Sequence, residues 1–280
     1  MSTKKKVISI ILSLIAIACL IAACVLLILS CIQDRQAEDA ISDYRVEEDT
    51  QITGEELISD VPSLDESLEE DNTEEVIAVT NPYAESFGAN EDMAGWLVVP
   101  GTNIDYPVMW TPEDENYYLY RDFEKNDNNN GCLILDTDSC LNPLTTNLII
   151  HGHNMKSGAM FGNLTDYEDE DYYNEHKQII LYTKECQRNY EIIAVFRSQV
   201  YKKSQDVFKF YKFFEATNEE EFADFYNNIK ELSLYDTGVT AQFGDNFITL
   251  STCVYHVTNG RFVVVAKEVA PGDTYLPIEE

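Results

Sequence analysis

The sequence predicts a mainly β fold, a barrel or a sandwich with few helices, preceded by a long apolar segment. The first observation is a series of short strand-like runs with turns between them, which is typical of these two architectures. The second is a single amphipathic helix that interrupts the series. The predicted strands are Trp96–Val99, Ile104–Met109, Cys132–Leu135, Asn147–His151, Gln178–Thr183, Tyr190–Phe196, Phe247–Thr252 and Arg261–Lys267.

The amphipathic helix is predicted between the sixth and seventh of these strands. Thr217 is its expected N-cap, and Glu220 three residues later completes a capping box. Apolar side chains then recur at helical spacing, at Phe222, Phe225, Tyr226, Ile229 and Leu232. This spacing predicts one helix with an apolar face inserted into the β domain.

The N-terminus carries a segment long enough to cross a membrane. Residues 7–32 contain no charged side chain, and ~20 apolar residues suffice to span a hydrocarbon core of ~30 Å. Three lysines, Lys4 to Lys6, precede the segment, so the positive-inside rule places residues 1–6 in the cytoplasm. We expect a single-pass signal anchor in the cell membrane, with everything after Ile32 outside.

Two other N-terminal signals share this composition. A cleaved signal peptide usually has an apolar region of only about 7–15 residues. A lipoprotein signal would use the sequence IAAC, which ends at Cys24. Both are disfavoured because the apolar run continues through VLLILSCI after Cys24.

Acidic residues are concentrated directly after the apolar segment. The formal net charge of the chain is −31, and the stretch Asp34–Glu75 holds 17 Asp or Glu residues against only Arg35 and Arg45. Repulsion between these charges predicts an extended, solvated stretch. The acidic balance also argues against nucleic acid as a partner, because phosphate contacts need a basic surface.

The composition changes near Asn81 and Pro82, where aromatic and strand-like runs begin. We therefore expect a linker over residues 33–85 and a folded domain over residues 86–280. Within the linker, residues 54–68 are compatible with a weak amphipathic helix.

Four of the seven cysteines lie beyond the apolar segment, at Cys132, Cys140, Cys186 and Cys253. In an oxidising compartment four cysteines allow two disulfides, whereas no CxxC pair indicates zinc. A lone cysteine is most often a small buried hydrophobe. A nucleophilic cysteine instead needs a cationic or basic neighbour and a donor for the oxyanion that forms.

Cys253 has candidates for both kinds of neighbour. His151 and His153 follow a predicted strand, although a histidine in a turn is as often satisfied by backbone groups. Arg261 opens the last predicted strand a short turn after Cys253, where an isolated arginine is usually solvated or ion-paired. The coincidence of all three residue types indicates a catalytic thiol.

Three separated motifs of the chain resemble class B sortases. They are GHNMKSGAMFGNL from Gly152, TLSTC ending at Cys253, and NGRFVVVAKEV from Asn259. The segments GWLVVPGTNIDYPVMW, ENYYLYRDF, NGCLILD and SLYDTGV are similar as well, so the resemblance runs from about Asn90 to Val269. Three motifs in the same order are far more specific than one short pattern.

The resemblance implies a membrane-anchored cysteine transpeptidase on the outer face of a Gram-positive cell. The implied fold is an eight-stranded β-barrel with an extra helix between strands six and seven. The family's cysteine falls on Cys253, its histidine on His153 and its arginine on Arg261, while His151 does not match. The residues expected to contact the substrate are Ser251, Thr252 and Leu119.

The implied reaction cleaves a C-terminal sorting motif of secreted proteins through a thioester on Cys253. The acyl group then passes to an amine of a peptidoglycan precursor, without a metal or an organic cofactor. No acidic partner for His153 is evident, because Tyr255 stands where some relatives have an acidic side chain.

Two alternatives remain open at the level of sequence. A sortase that polymerises pilus subunits would share the catalytic residues, and the stretch Asp34–Glu75 is its only candidate lid. A catalytically silent, membrane-tethered binding module would keep the fold without the chemistry.

Overall fold

The computed structural model describes residues 3–46, 79–255, 257–275 and 278. Its helices are α1 (Thr3–Ser42), α2 (Ala84–Ala89), α3 (Glu170–Glu175) and α4 (Glu219–Leu232). Its strands are β1 (Met93–Val98), β2 (Asp105–Met109), β3 (Leu133–Leu135), β4 (Asn147–Gly152), β5 (Gln178–Tyr182), β6 (Cys186–Gln199), β7 (Phe247–Cys253) and β8 (Gly260–Thr274). The weak helix predicted at residues 54–68 lies outside the described residues.

In the described part of the chain, the eight strands close into a barrel in the order β1-β2-β3-β4-β7-β8-β6-β5. Strand β5 pairs back onto β1. The pairs β2-β3 and β4-β7 are parallel, and the other neighbours are antiparallel. The predicted barrel of eight strands is therefore confirmed, with α4 between β6 and β7.

Each predicted strand is present with shifted ends, and β6 and β8 are much longer than predicted. They contain 14 and 15 residues and pair with each other from Cys186↔Thr274 to Gln199↔Gly260. The first part of β6 contains polar residues such as Arg188 and Asn189, so the hydrophobic pattern of the sequence does not predict it as a strand. Their backbone groups are nevertheless satisfied by the long neighbouring strand.

Side chains alternate between the barrel interior and its outer face along each strand. On β7, Ile248 and Leu250 belong to the interior core, whereas Phe247 packs outside with Phe222 and Phe225 of α4. The odd-numbered residues of β7 therefore reach the outer face of the barrel, where the site lies.

The N-cap of α4 is Asn218 and not Thr217, so the predicted cap was wrong by one residue. The Asn218 side-chain oxygen accepts a hydrogen bond from the Glu221 backbone N–H at 3.0 Å. The Glu221 carboxylate accepts in turn from the backbone N–H and the hydroxyl of Thr217, both at 2.8 Å. Asn and Thr are both good caps, and the pairs 217/220 and 218/221 have equal spacing, so the sequence alone does not separate them.

Helix α1 is long and apolar enough to cross a membrane, over Ile10–Ser42. Its large apolar side chains between Ile10 and Ile32 are exposed in the isolated chain. A segment with these properties is compatible with the predicted membrane anchor.

The last part of α1 packs against the barrel. Ala37, Ala40 and Ile41 are buried there, and their spacing gives one apolar stripe along the helix. The prediction of an extended, solvated stretch is therefore wrong for Asp34–Ser42, because this stripe stabilises a docked helix while the charged side chains stay at the surface. The Asn128 side-chain amide also donates to the backbone carbonyl of Gln33 at 3.0 Å.

The chain just before α2 also contacts the barrel. The Asn81 side-chain amide donates to the Thr183 carbonyl at 2.9 Å. The Tyr83 ring stacks on the Trp96 indole with 4.7 Å between ring centroids. The segment predicted as a linker, residues 33–85, is thus described only at its two ends, and both ends touch the barrel.

Candidate active site

The predicted catalytic residues lie on the outer face of neighbouring strands. Cys253, the last residue of β7, stands directly opposite Arg261 at the start of β8. Ser251 on β7 pairs with His151 on β4, and His153 follows just beyond the end of β4. Because alternate residues of a strand share a face, Ser251 and Cys253 project to the same side.

A groove of about 430 Å³ runs over this face. All six residues predicted to belong to the site line it: Cys253, His153, Arg261, Ser251, Thr252 and Leu119. The sequence analysis did not anticipate several other lining residues, among them Glu115, Asn116, Tyr120 and Asp136, and His151 lines the groove although it does not match the family's histidine.

Two cysteines line the groove, but only Cys253 suits a nucleophile. Cys253 is a free, exposed thiol at the end of β7. Cys132 is buried, and burial raises the pKa of its thiol far above the ordinary value. A thiol with so high a pKa is not ionised at neutral pH and does not attack.

The orientation of His153 is set by a backbone carbonyl. Its Nε2 lies 2.8 Å from the carbonyl oxygen of Leu119, and its ring lies 5.6 Å from the Tyr120 ring. A carbonyl only accepts, so Nε2 carries the proton and Nδ1 remains for proton transfer.

Leu119 belongs to a 3₁₀ turn, Tyr117–Tyr120, which a close backbone approach holds in place. Gly131 packs beneath this turn with φ +61°, and a Cβ there would lie 2.5 Å from the Leu119 carbonyl oxygen. The backbone N–H of Cys132 donates to the Tyr118 carbonyl at 3.0 Å. Only glycine fits this conformation at this distance, and the turn can therefore present the Leu119 carbonyl to His153.

The guanidinium of Arg261 keeps most of its donors available. One of them, Nη1, donates to the Gly260 carbonyl at 3.1 Å. Among the side chains that the structure describes, no carboxylate forms an ion pair with Arg261. The remaining N–H groups can donate hydrogen bonds to a ligand at the Cys253 end of the groove.

Ser251 and Thr252 differ in how their hydroxyls are used. The Thr252 hydroxyl donates to the Gly152 carbonyl at 2.7 Å, which ties β7 to β4. The Ser251 hydroxyl is buried and has no hydrogen-bond partner among the described residues. Substrate contact by Thr252 stays a prediction, and its hydroxyl already has a structural partner.

His151 has a carboxylate partner that the sequence analysis missed. Its Nε2 lies 3.1 Å from Asp136 Oδ2. Burial alone would raise the pKa of Asp136, but hydrogen bonds from His151 and from the Asp138 backbone outweigh it and hold this pKa below the ordinary value. The strand register explains the contact, because Ile134 stands opposite His151 and Asp136 follows two residues later. That register is not visible in the sequence.

Comparison with known proteins gives the same family throughout. A family model for the sortase domain matches residues 97–269. Sortase B of Listeria monocytogenes is 33% identical over 182 residues, covering 64% of this chain and 71% of that protein. The chain belongs to the sortase family. Sortase B of Staphylococcus aureus is 29% identical over 180 residues, covering 64% of this chain and 70% of that protein.

Solved sortase B structures share the fold of this sortase. The substrate complex of Staphylococcus aureus sortase B matches with a TM-score of 0.61 at 27% identity, over 69% of this chain and 88% of that one. Clostridium perfringens sortase B matches with a TM-score of 0.59 at 29% identity, over 66% and 98%. The chain is a class B sortase, and the enzymes of this class are cysteine transpeptidases.

Proposed function

We propose that this sortase is anchored in the cell membrane and transfers secreted proteins from a C-terminal sorting motif to an amine of peptidoglycan. The observation that carries the proposal is the placement of the exposed Cys253 thiol opposite Arg261, in a groove that His153 also lines. These three residues are the proposed catalytic set, and Ser251, Thr252 and Leu119 are the proposed substrate contacts.

The first half-reaction forms a thioester. The Cys253 thiolate attacks the carbonyl carbon of the scissile peptide bond, and the carbonyl electrons move onto oxygen. Arg261 donates hydrogen bonds to this oxyanion through its planar fork of N–H groups. When the C–N bond breaks, the imidazolium of His153 gives its Nδ1 proton to the departing amine. The acyl group is then bound to the sulfur of Cys253.

The second half-reaction transfers the acyl group. An incoming amine attacks the thioester carbonyl, and the neutral Nδ1 of His153 takes a proton from it. The tetrahedral intermediate collapses with expulsion of the Cys253 thiolate. In both halves Nε2–H stays on the Leu119 carbonyl, so one nitrogen orients the ring while the other moves the proton.

Two solved relatives support the kinds of ligand proposed here. One is the substrate complex of Staphylococcus aureus sortase B, and another is a sortase B complexed with triglycine. The second covers 69% of this chain with a TM-score of 0.60. A short glycine peptide carries a free amine, and we use triglycine as the acceptor in the test of the proposal.

The proposed localisation is a single-pass anchor with a cytoplasmic N-terminus. Helix α1 supports it by its length and apolar composition, and Lys4 to Lys6 support the orientation. Residues 1–6, 7–32, 33–85 and 86–280 are the proposed tail, anchor, linker and catalytic domain.

A pilus-polymerising role is less well supported by the position of the acidic segment. Its described part contributes Asp34, Glu38 and Asp39 to a cleft beside Thr102–Tyr106 and none of its residues to the catalytic groove. We therefore give priority to cell-wall anchoring.

The decisive experiment uses the full-length chain in detergent with a library of candidate sorting peptides, with and without triglycine. We expect cleavage, a peptide adduct on Cys253 by mass spectrometry, and a triglycine ligation product. Cys253→Ala is the matched control and should give none of these. The silent binding module would be favoured if none of the peptides forms an adduct with Cys253 of the wild-type chain and a vinyl sulfone does not label Cys253.

A further inference from the structure

Three consecutive asparagines shortly before β3 contact the end of α1. They close a loop, residues 122–130, which we call the asparagine loop. Each asparagine donates its side-chain amide to one of the two residues that directly follow the apolar segment: Asn128 to the Gln33 carbonyl at 3.0 Å, Asn129 to Gln33 Oε1 at 2.8 Å, and Asn130 to Asp34 Oδ1 at 2.8 Å. The loop is therefore bound to α1 at the point where the apolar segment ends.

Asn128 also contacts the 3₁₀ turn Tyr117–Tyr120. Its backbone N–H donates to the Tyr120 carbonyl at 2.9 Å. The residue is only 2% exposed, so water competes little for its hydrogen bonds. A single buried residue thus connects α1 to the turn whose Leu119 carbonyl orients His153.

The asparagine loop is held in shape by its own hydrogen bonds. The buried Asp122 carboxylate accepts from the backbone N–H groups of Glu124 and Asn126, at 3.1 and 2.9 Å. The side-chain oxygen of Asn128 accepts from the backbone N–H of Asn130 at 2.9 Å. Contacts of this kind replace a backbone partner by a local side chain and fix the turn. A loop fixed in this way transmits a displacement at α1 to the 3₁₀ turn.

Apolar packing places α1 over the same part of the barrel. Ala37 and Ile41 of α1 are buried, and they border a small void together with Gly131 and Cys132. Gly131 is the residue that packs beneath the Leu119 carbonyl. The docked end of α1 therefore contacts the support of the 3₁₀ turn through packing as well as through hydrogen bonds.

We infer that Asn128 is a positioning residue for His153, and that the docked end of α1 contributes to catalysis through it. The inference rests on the proposed function, in which His153 transfers the proton. The bond from Asn128 to the Gln33 carbonyl holds the 3₁₀ turn, and the turn holds the imidazole through Leu119. Without the bond to α1 the turn is less restrained, and small displacements of a catalytic group lower the rate strongly.

A purely structural role for Asn128 predicts a different result. A buried side chain that only stabilises its own loop would lower the unfolding temperature when it is replaced. The variant would keep the kcat of the wild type wherever it is folded. A comparison of kcat with KM, at a temperature at which every variant is folded by circular dichroism, therefore separates positioning from stability.

Substitutions of Asn128 separate its two side-chain contacts. Asn128→Asp keeps an oxygen for the Asn130 N–H but has no amide to donate to Gln33, whereas Asn128→Ala removes both contacts. With the full-length chain in detergent, the kcat of transfer to triglycine should fall about tenfold in both variants, and KM for the peptide should stay within about twofold. If the buried carboxylate prevents folding, Asn128→Ser replaces it, because a hydroxyl also accepts from the N–H two residues on.

Asn129→Ala is the matched control. Asn129 is exposed and donates to the side chain of Gln33, so this variant loses a contact with the same residue of α1 while the link through Asn128 remains. Its kcat should stay within about twofold of the wild type.

Hydrogen exchange over residues 117–120, measured by mass spectrometry, tests the same link without any need for activity. Exchange should be faster in Asn128→Asp than in the wild type, because the turn opens more often when its link to α1 is broken. It should be unchanged in Asn129→Ala.

The outcomes distinguish this inference from the proposed function. If the wild type is active and Asn128→Asp has the same kcat, the inference is overturned even where Asn128→Ala is impaired, because Asn128 then acts only within its own loop. An equal loss of kcat in Asn129→Ala would also overturn it. If the wild type forms an adduct with no peptide, the proposed reaction is refuted and hydrogen exchange decides: faster exchange of the turn in Asn128→Asp supports the link to α1, and unchanged exchange refutes it.

Discussion

Arg261 is the residue whose role depends most on geometry. It stands opposite Cys253 in the register of β7 and β8. Within the described part of the chain, its guanidinium makes one hydrogen bond, to the adjacent Gly260 carbonyl. The planar guanidinium holds its donors in a fixed arrangement, so it can form directed hydrogen bonds to the negative charge that develops on the oxygen of the attacked carbonyl. The ammonium of a lysine, on a flexible stem, cannot reproduce this arrangement. An arginine that serves only solubility would tolerate lysine.

We therefore expect Arg261→Lys to fail almost as severely as Arg261→Ala. Loss of one oxyanion donor typically lowers the rate by ~10²–10³, whereas a surface arginine would contribute only about 0–1 kcal/mol. The rate of Cys253 acylation should be measured by mass spectrometry, separately from aminolysis. A lysine variant that acylates at nearly the wild-type rate would exclude the oxyanion role.

Substitutions of the two histidines of the groove should change different kinetic constants. His153→Ala should abolish transfer, because it removes the Nδ1 that moves the proton. His151→Ala should keep most of kcat at saturating peptide and raise KM, since His151 lies beside the substrate path but pairs with Asp136. Both variants need circular dichroism to confirm folding. Equal loss of kcat in the two variants would contradict this assignment.

At the residue scale, the sequence motifs predicted Cys253, His153 and Arg261 as the catalytic residues, and the structure places all three in one groove. The motifs did not reveal the Leu119 carbonyl as the partner of His153, because a backbone contact 34 positions away leaves no mark in residue types. The Asp136–His151 contact was missed for a related reason. It depends on the register of β3 and β4, which the hydrophobic pattern does not fix.

At the scale of elements, the 3₁₀ turn Tyr117–Tyr120 positions His153, the proposed catalytic histidine. Its Leu119 carbonyl holds His153, and Gly131 packs beneath it. The sequence analysis predicted Leu119 only as a residue that contacts the substrate. The turn has no amphipathic period of its own, so only the packed structure shows that its backbone orients the imidazole.

Gly131→Ala should therefore lower activity through this turn. The new Cβ would lie 2.5 Å from the Leu119 carbonyl oxygen and the residue would be held at φ +61°, so the turn must shift and the His153 hydrogen bond must lengthen. We expect a loss of kcat of about tenfold or more, since small displacements of a catalytic group are costly.

The matched control for this variant is Gly88→Ala. Gly88 lies in α2 with nothing within 4 Å of an added Cβ, so activity should be unchanged. Both variants are assayed for transfer and for thermal unfolding. A Gly131→Ala enzyme with the kcat and KM of the wild type would show that the turn does not orient His153.

The same scale shows where pattern analysis succeeds and where it falls short. Of the predicted apolar face of α4, Phe222, Phe225 and Ile229 are buried and Tyr226 is half-buried, whereas Leu232 at the end of the helix is exposed. Its N-cap is Asn218 and not the predicted Thr217, because the residue pairs 217/220 and 218/221 both have the spacing of a capping box. Apolar periodicity thus locates an element well, while its ends depend on which of several competing hydrogen bonds forms.

At the scale of the whole molecule, the direction of α1 determines on which side of the membrane the barrel lies. Protease added to intact protoplasts should digest the chain beyond Ile32 and spare an epitope placed at the N-terminus, because the positive-inside rule assigns the end with Lys4 to Lys6 to the cytoplasm. Detergent lysis is the control and should expose the epitope as well. Protection of the barrel before lysis would reverse the proposed topology.

The same helix, which is the proposed anchor, continues without a break into the part that packs against the barrel. Residues 33–42 continue α1 for ~15 Å beyond the apolar segment, and they dock on the barrel through the buried side chains of Ala37, Ala40 and Ile41. The sequence did not predict this, because the acidic residues around the apolar stripe dominate the composition. A docked helix would hold the catalytic groove at a constant distance from the membrane.

Ile41→Ala tests the docked helix directly. Ile41 is 3% exposed and belongs to the main core, so truncation should cost about 2–4 kcal/mol of unfolding free energy by loss of packing and creation of a cavity. Ile32→Ala is the matched control, because Ile32 lies on the same helix and is 47% exposed; it should change stability by less than about 0.5 kcal/mol. Denaturant unfolding of the full-length chain in detergent gives both values. Equal stability of the two variants would mean that α1 does not dock and that the barrel is free to move relative to the membrane.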